Sequence, residues 1–171
     1  ELGMTIKLLA SSKRDGDHLH AIVAPALIGN EHPLYSVNGV FNAVFVNGNM
    51  LGDAMFYGSG AGKLPTASAV VADVVDEAKH LHRNIMTMWK EEKLQLEDKA
   101  DSKRRFFVRI KGDKEKLIPQ LKESYGEIEV VNVPELEDEF GFVTPVMMEG
   151  DYETRSKLYK EQIVHMIRIQ D

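Results

Sequence analysis

The sequence has no cysteine, so disulfides and thiolate zinc sites are excluded, which fits a reducing compartment; a cytoplasmic protein is the expectation. It has no long apolar run. The longest, around Ala21 to Gly29, is far too short to span a bilayer, and nothing resembles a signal peptide. Basic residues are outnumbered, 21 Lys and Arg against 27 Asp and Glu. With a net charge of −6 and no basic stripe interleaved with aromatics, neither nucleic acid nor an anionic membrane surface is an expected partner. What remains is a chain of 171 residues, 43% hydrophobic, able to bury one good core or two small ones. Glu1 leads straight into what reads as the middle of a folded segment, and a piece of a longer protein is expected.

Met50 to Leu81 is the most informative stretch. It reads as a strand from Met50 to Tyr57, breaks into Gly58, Gly60 and Gly62, and restarts as a helix after Pro65, whose fixed φ suits a first helical turn. Val70, Val71, Val74, Val75, Ala78 and Leu81 then recur at helical spacing, opposite Asp73, Asp76, Glu77 and Lys79. A glycine turn leading into a helix N-terminus presents free N–H groups and a positive dipole end, which suit phosphate. Two phosphate-loop patterns fail here. The Walker pattern needs glycine at Tyr57 and Ser or Thr at Leu64; the dinucleotide fingerprint needs glycine at Lys63. On spacing alone, a tight turn before a packed helix accounts for the stretch better than a ligand loop.

Ahead of it, Thr5–Ala10, His18–Ile28 and Val40–Asn47 read as strands. Ser11–Asp17 reads as a charged turn, Pro25 marks an edge or a bulge, and Asn47-Gly48-Asn49 marks a hairpin turn. The first part, residues 1–82, is thus predicted to be α+β: a mostly antiparallel sheet with one long helix. Residues 83–104, charged and free of glycine and proline, read as a helical connector. Residues 105–171 follow the order βαββαβ of a small ferredoxin-like sandwich: strand Phe106–Lys111, helix Asp113–Tyr125, strands Ile128–Val133 and Glu139–Met148, helix Tyr152–Glu161, strand Ile163–Gln170.

Candidate chemistry is sparse. His18 and His20 share a strand face but lack a third ligand at a suitable spacing, and a solvated face explains them better than a metal pair. Asp76 and His80, four apart, suit a surface contact. Thr66 and Ser68 have no base nearby and suit capping or turn roles. Lys63 could pair with phosphate or be solvated. No catalytic residue and no metal site is assigned.

Three segments, GMTIKLLA (3–10), GVFNAVFVNGN (39–49) and FYGSGAGKLPTASAVVAD (56–73), closely resemble the C-terminal part of homoserine dehydrogenase, over residues 1 to about 82. The tail resembles the ACT domain that many bacterial members carry after the catalytic region. The resemblance implies an NAD(P)-dependent oxidoreductase that interconverts homoserine and aspartate 4-semialdehyde, a small-molecule substrate, in threonine, methionine and isoleucine synthesis. It implies that the glycine turn closes over NADP or NAD, with Gly60, Ala61, Gly62 and Thr66 as cofactor contacts, and that the protein is a homodimer or homotetramer. The family's dinucleotide fingerprint, catalytic lysine, acidic substrate residues and metal-ion site all precede the segment matching Glu1. This polypeptide alone is therefore expected to lack dehydrogenase activity. Amino-acid-binding ACT domains usually carry glycine where Lys116 stands, so the tail is expected to serve assembly more than threonine sensing. A regulatory amino-acid-binding module and a purely oligomerising one are the alternatives.

Overall fold

Strand alternation builds the first hairpin. β1 (Met4–Asp15) and β2 (His18–Gly29) pair antiparallel from Met4 opposite Gly29 to Asp15 opposite His18. The computed structural model describes residues 2–86, 88–89, 91, 93–134, 136 and 138–170. β1 continues through the stretch expected to be a turn, because Ser11 to Asp15 find ladder partners in His18 to Ile22; the turn itself is only Gly16-Asp17, with Gly16 at φ 61°. The described residues fall into two compact units, one of residues 1–32 with 93–171 and one of residues 33–92.

In the larger unit, β5 (Gln95–Leu96) pairs with the start of β2. β6 (Lys103–Lys111), α2 (Lys114–Tyr125), β7 (Glu129–Val131), β8 (Glu139–Val143), β9 (Met147–Met148), α3 (Glu149–Ser156) and β10 (Ile163–Gln170) follow. The main sheet runs β1-β2-β10-β6-β8-β7. The first hairpin therefore extends the sheet of the C-terminal strands, where a separate N-terminal layer was expected. Its reason is burial: Ala26, Leu27 and Ile28 are buried in succession, and Leu27 packs with Val143 and Ile169. An apolar run of that kind suits a strand covered on both faces. The β2–β10 pairing is parallel and the rest of this path antiparallel, so the sheet is mixed.

The core follows two periods. Phe106, Val108 and Ile110 alternate inward from β6; Leu117, Leu121 and Tyr125, four apart, line the buried face of α2. Phe140, Phe142, Tyr152 and Tyr159 complete the cluster. Asp113 caps α2 by accepting from the Glu115 and Lys116 amides at 3.0 and 3.4 Å, and Gly126 ends it at φ 84°. Burial pushes the Tyr152 phenol up to about 12 from 10.0 and raises Tyr125 further. Folding thus favours the neutral phenols: this contribution is intact below pH 10 and is lost as pH rises from 10 towards 12. We expect the larger unit to lose about 2 kcal/mol over that window through Tyr152, measured by urea melts alongside tyrosinate absorbance.

No helix forms among the described residues of 83–104, against the helical connector expected there. The described residues there form β5, a 3₁₀ turn at Lys99–Asp101, whose Ala100 amide donates to Asp98, and the first two residues of β6. Met86, Met88, Trp89 and Leu94 are exposed and make no continuous apolar stripe to hold a helix against a core.

The smaller unit contains β3 (Phe41–Gly48), β4 (Gly52–Ser59) and α1 (Lys63–Lys79). β3 and β4 pair antiparallel from Phe41 opposite Ser59 to Gly48 opposite Gly52. The hairpin loop is Asn49-Met50-Leu51, two residues beyond the expected start, and Gly52 takes the left-handed conformation (φ 70°) that a three-residue loop needs. None of the described residues between 33 and 92 is buried.

Candidate cofactor-contact turn

β4 delivers the chain to Ser59, and α1 takes it up at Lys63, so Gly60, Ala61 and Gly62 form the whole turn. Gly62 is the N-cap of α1, with φ 125° and ψ 155°, a conformation open in practice only to glycine. At Gly60 the constraint is weaker: a Cβ there would lie 2.9 Å from Asn42 Nδ2 on β3, the end of an exposed side chain that would have to turn aside. The helix starts when the Thr66 amide donates to the Gly62 carbonyl at 3.1 Å. Gly62, Lys63 and Leu64 then have N–H groups without an intrahelical acceptor, while Pro65 has none to leave open. No side chain caps this end and no acid sits in the first turn, so the positive end of the helix dipole is not neutralised locally. Gly60, Ala61, Gly62, Lys63 and Thr66 are all exposed. Such a turn can accept an anionic group by backbone donors, with Lys63 as an additional charge on the same turn.

The helix behind it carries Val70, Val71, Val74 and Val75 as expected, yet α1 has no buried residue. The valine face lies open.

The other candidates lie apart from this turn in sequence or chemistry. His18, exposed on β2, is bonded to Glu97, and that carboxylate holds the His18 imidazole above its ordinary value. Glu97 lies 79 residues further on, and no local spacing signals it. His80 Nδ1 contacts the Asp76 carbonyl oxygen at 2.9 Å and its carboxylate at 3.5 Å, a helix-surface contact. Among the described residues, no group of three His, Cys, Asp or Glu could hold a metal ion. Nor is any helix of the described residues long and apolar enough to cross a membrane.

In the tail, the β6–α2 connection turns at Gly112, φ 135°. Lys116 Nζ lies 3.0 Å from Asp113 Oδ2, and this contact chiefly holds the Asp113 carboxyl below its ordinary value. Sequence reasoning missed the largest electrostatic feature of the larger unit, the fully buried carboxylate of Glu149 between Arg168 and Arg104.

Residues 1–75 match the sequence model of homoserine dehydrogenase. The chain is 44% identical over 84 residues to the homoserine dehydrogenase of Bacillus subtilis, covering 49% of this chain and 19% of that protein. It is 36% identical over 110 residues to the homoserine dehydrogenase of Helicobacter pylori, covering 64% and 26%. The crystal structure of a homoserine dehydrogenase from Thiobacillus denitrificans superposes with a TM-score of 0.83 at 25% identity, over 99% of this chain and 43% of that one. The chain thus spans about a fifth to a quarter of the curated relatives' length, and less than half of the solved one. The stretch that matches the homoserine dehydrogenase model, residues 1–75, contains the whole glycine turn and most of α1.

Proposed function

We propose that this chain is the C-terminal part of a homoserine dehydrogenase, an oxidoreductase that interconverts homoserine and aspartate 4-semialdehyde, and that residues 60–66 close over its nicotinamide nucleotide. The cofactor, NADP or NAD, supplies the hydride chemistry when bound. The observation that carries the reading is the turn itself: Gly62 at φ 125° opens an uncapped, acid-free helix start within the segment that matches the family. Gly60, Ala61 and Gly62 let backbone approach the nucleotide closely, and Thr66 begins the helix that aims the N–H groups at it. The open valine face of α1 and the absence of any buried described residue in 33–92 support docking onto a nucleotide-binding region outside this chain. The βαββαβ tail, with its strands ordered β10-β6-β8-β7, is an ACT-like domain in this reading, and it serves assembly into a homodimer or homotetramer. Lys116, tied to Asp113 beside the Gly112 turn, favours assembly over amino-acid sensing.

The test joins this chain behind the N-terminal region of the Bacillus subtilis enzyme and follows NADPH oxidation with aspartate 4-semialdehyde. The joined protein should turn over and the chain alone should not. Gly62→Val should raise the KM for NADPH about tenfold with little change in kcat, because a β-branched residue cannot hold φ 125° without displacing the turn. Turnover by the chain alone, or an unchanged KM in the Gly62 variant, would sink the reading.

A further inference from the structure

Little holds β5 to the larger sheet. Its ladder with β2 is two residues long, Gln95 opposite His18 and Leu96 opposite Leu19, and both of its side chains are exposed. The backbone adds one bond just past the strand, from the Glu97 amide to the Leu19 carbonyl at 3.0 Å. Beyond Glu97 the chain is held independently: Asp98 caps the 3₁₀ turn, and Lys99 Nζ donates to Glu153 at 2.6 Å. Residues 95–97 thus form a short strap that the apolar core does not grip.

One side-chain contact completes it. His18 Nδ1 is bonded to the Glu97 carboxylate across 79 residues of sequence. Glu97 is the better covered partner, its side chain 23% exposed against 68% for His18. The other charges facing the imidazole are negative too: Asp15, opposite it on β1, and Asp17 in the turn, which Arg14 approaches at 3.7 Å. His20, opposite Lys13, lines a cavity of about 640 Å³ with Glu97 and is the second imidazole near the strap. A neutral imidazole can still donate to Glu97, but a charged one makes the stronger bond.

We propose that residues 95–97 are a proton-operated strap on β2, held down while His18 is charged and loosened when it is neutral. The Glu97 hydrogen bond and then its charge hold the His18 imidazole above its ordinary 6.5; desolvation opposes them, and Asp15 and Asp17 add to the rise. A raised value in the closed state means that the proton tightens the strap. Its contribution is present in full below pH 6.5 and is lost as pH rises through the closed-state value. Loosening has a definite consequence for β2. Leu19 turns its carbonyl to the strap, so by the two-residue repeat Ala21 and Val23 turn their backbone groups to the same side. Among the described residues no strand pairs with β2 there until β10 meets Ala26. Release of the strap extends this open edge to the start of β2, and it frees the first element of the larger unit after residue 92.

The experiment titrates the uniformly ¹⁵N-labelled 171-residue chain from about pH 5.5 to 8.5, following the His18 ring signals and the hydrogen exchange of the Glu97 amide, corrected for the intrinsic pH dependence of exchange. His18 should titrate above 6.5, and protection of the Glu97 amide should fall about threefold with the same midpoint. Glu97→Gln should move the His18 midpoint back towards 6.5. His18→Gln should leave Glu97 protection flat across the range, and His20→Gln should change neither signal. Should a variant fail to fold, the unaltered chain decides: coincident midpoints support the strap and separate ones overturn it. A His18 midpoint at or below 6.5, flat Glu97 protection in the unaltered chain, a midpoint indifferent to Glu97→Gln, or a pH response that survives His18→Gln or vanishes with His20→Gln would each overturn the proposal.

Discussion

Glu149→Ala should destabilise the larger unit by about 3 kcal/mol, read as a fall in the urea midpoint at unchanged slope. Glu149 is 0% exposed, and its Oε2 accepts from Arg168 Nε at 3.0 Å while Oε1 accepts from Arg168 Nη2. Its own amide donates to the Ser102 carbonyl at 2.9 Å, which fixes the start of α3 beside the start of β6. Removing the carboxylate leaves two guanidiniums, each side chain 18% exposed, with no compensating charge between them. The expected cost lies at the lower end for a broken buried pair because both arginines keep some contact with water. Replacing Glu149 and Arg168 together, Glu149→Met with Arg168→Met, should recover part of the loss, since it removes one of the two stranded charges and leaves Arg104 alone. A double variant as unstable as Glu149→Ala would show instead that this carboxylate acts chiefly through geometry.

Phe106→Ala should cost more, about 4 kcal/mol. Phe106 is 0% exposed at the centre of β6, its ring stacked on Tyr152 with centroids 4.4 Å apart. Its backbone is held on both sides, its amide donating to Thr144 Oγ1 at 3.0 Å and its carbonyl accepting from the Thr144 amide at 2.9 Å. The surroundings therefore have little freedom to collapse into the space left. The comparison is Phe41→Ala. That ring also stacks, on Tyr57 at 4.9 Å, but it is 43% exposed in a unit none of whose described residues is buried, so its loss should change stability by less than about 1 kcal/mol. Equal effects at the two positions would contradict the division into a unit with a core and a unit without one.

These cases show what local pattern carries and what it does not. Alternation along Phe106 to Ile110 and the four-residue spacing of Leu117, Leu121 and Tyr125 determine which faces turn inward, and both are visible in the sequence. The destination of the β1–β2 hairpin is not, because the pairing of Ala26 with Arg168 joins residues far apart in the chain and depends on β10 having an edge to offer. The connector misled for a physical reason. A charged stretch free of glycine and proline permits a helix, but permission is not stabilisation where no apolar stripe meets a core. Glu149 was illegible because a carboxylate in sequence carries no sign of burial; only the two arginines folded around it make burial tolerable. Behind the glycine turn, the helix was readable from Pro65 and the valine spacing, though it begins two residues ahead of the proline, at Lys63. The positive φ at Gly62 and the contact of Gly60 with Asn42 needed the hairpin in place.

A segment without an interior also has a thermodynamic signature. The heat-capacity step of unfolding scales with the apolar surface newly wetted, and residues 33–92 have little left to wet because their valines and phenylalanines already meet solvent. By itself the polypeptide would melt with the calorimetric size of its larger unit alone, as though a third of its length were thermally silent.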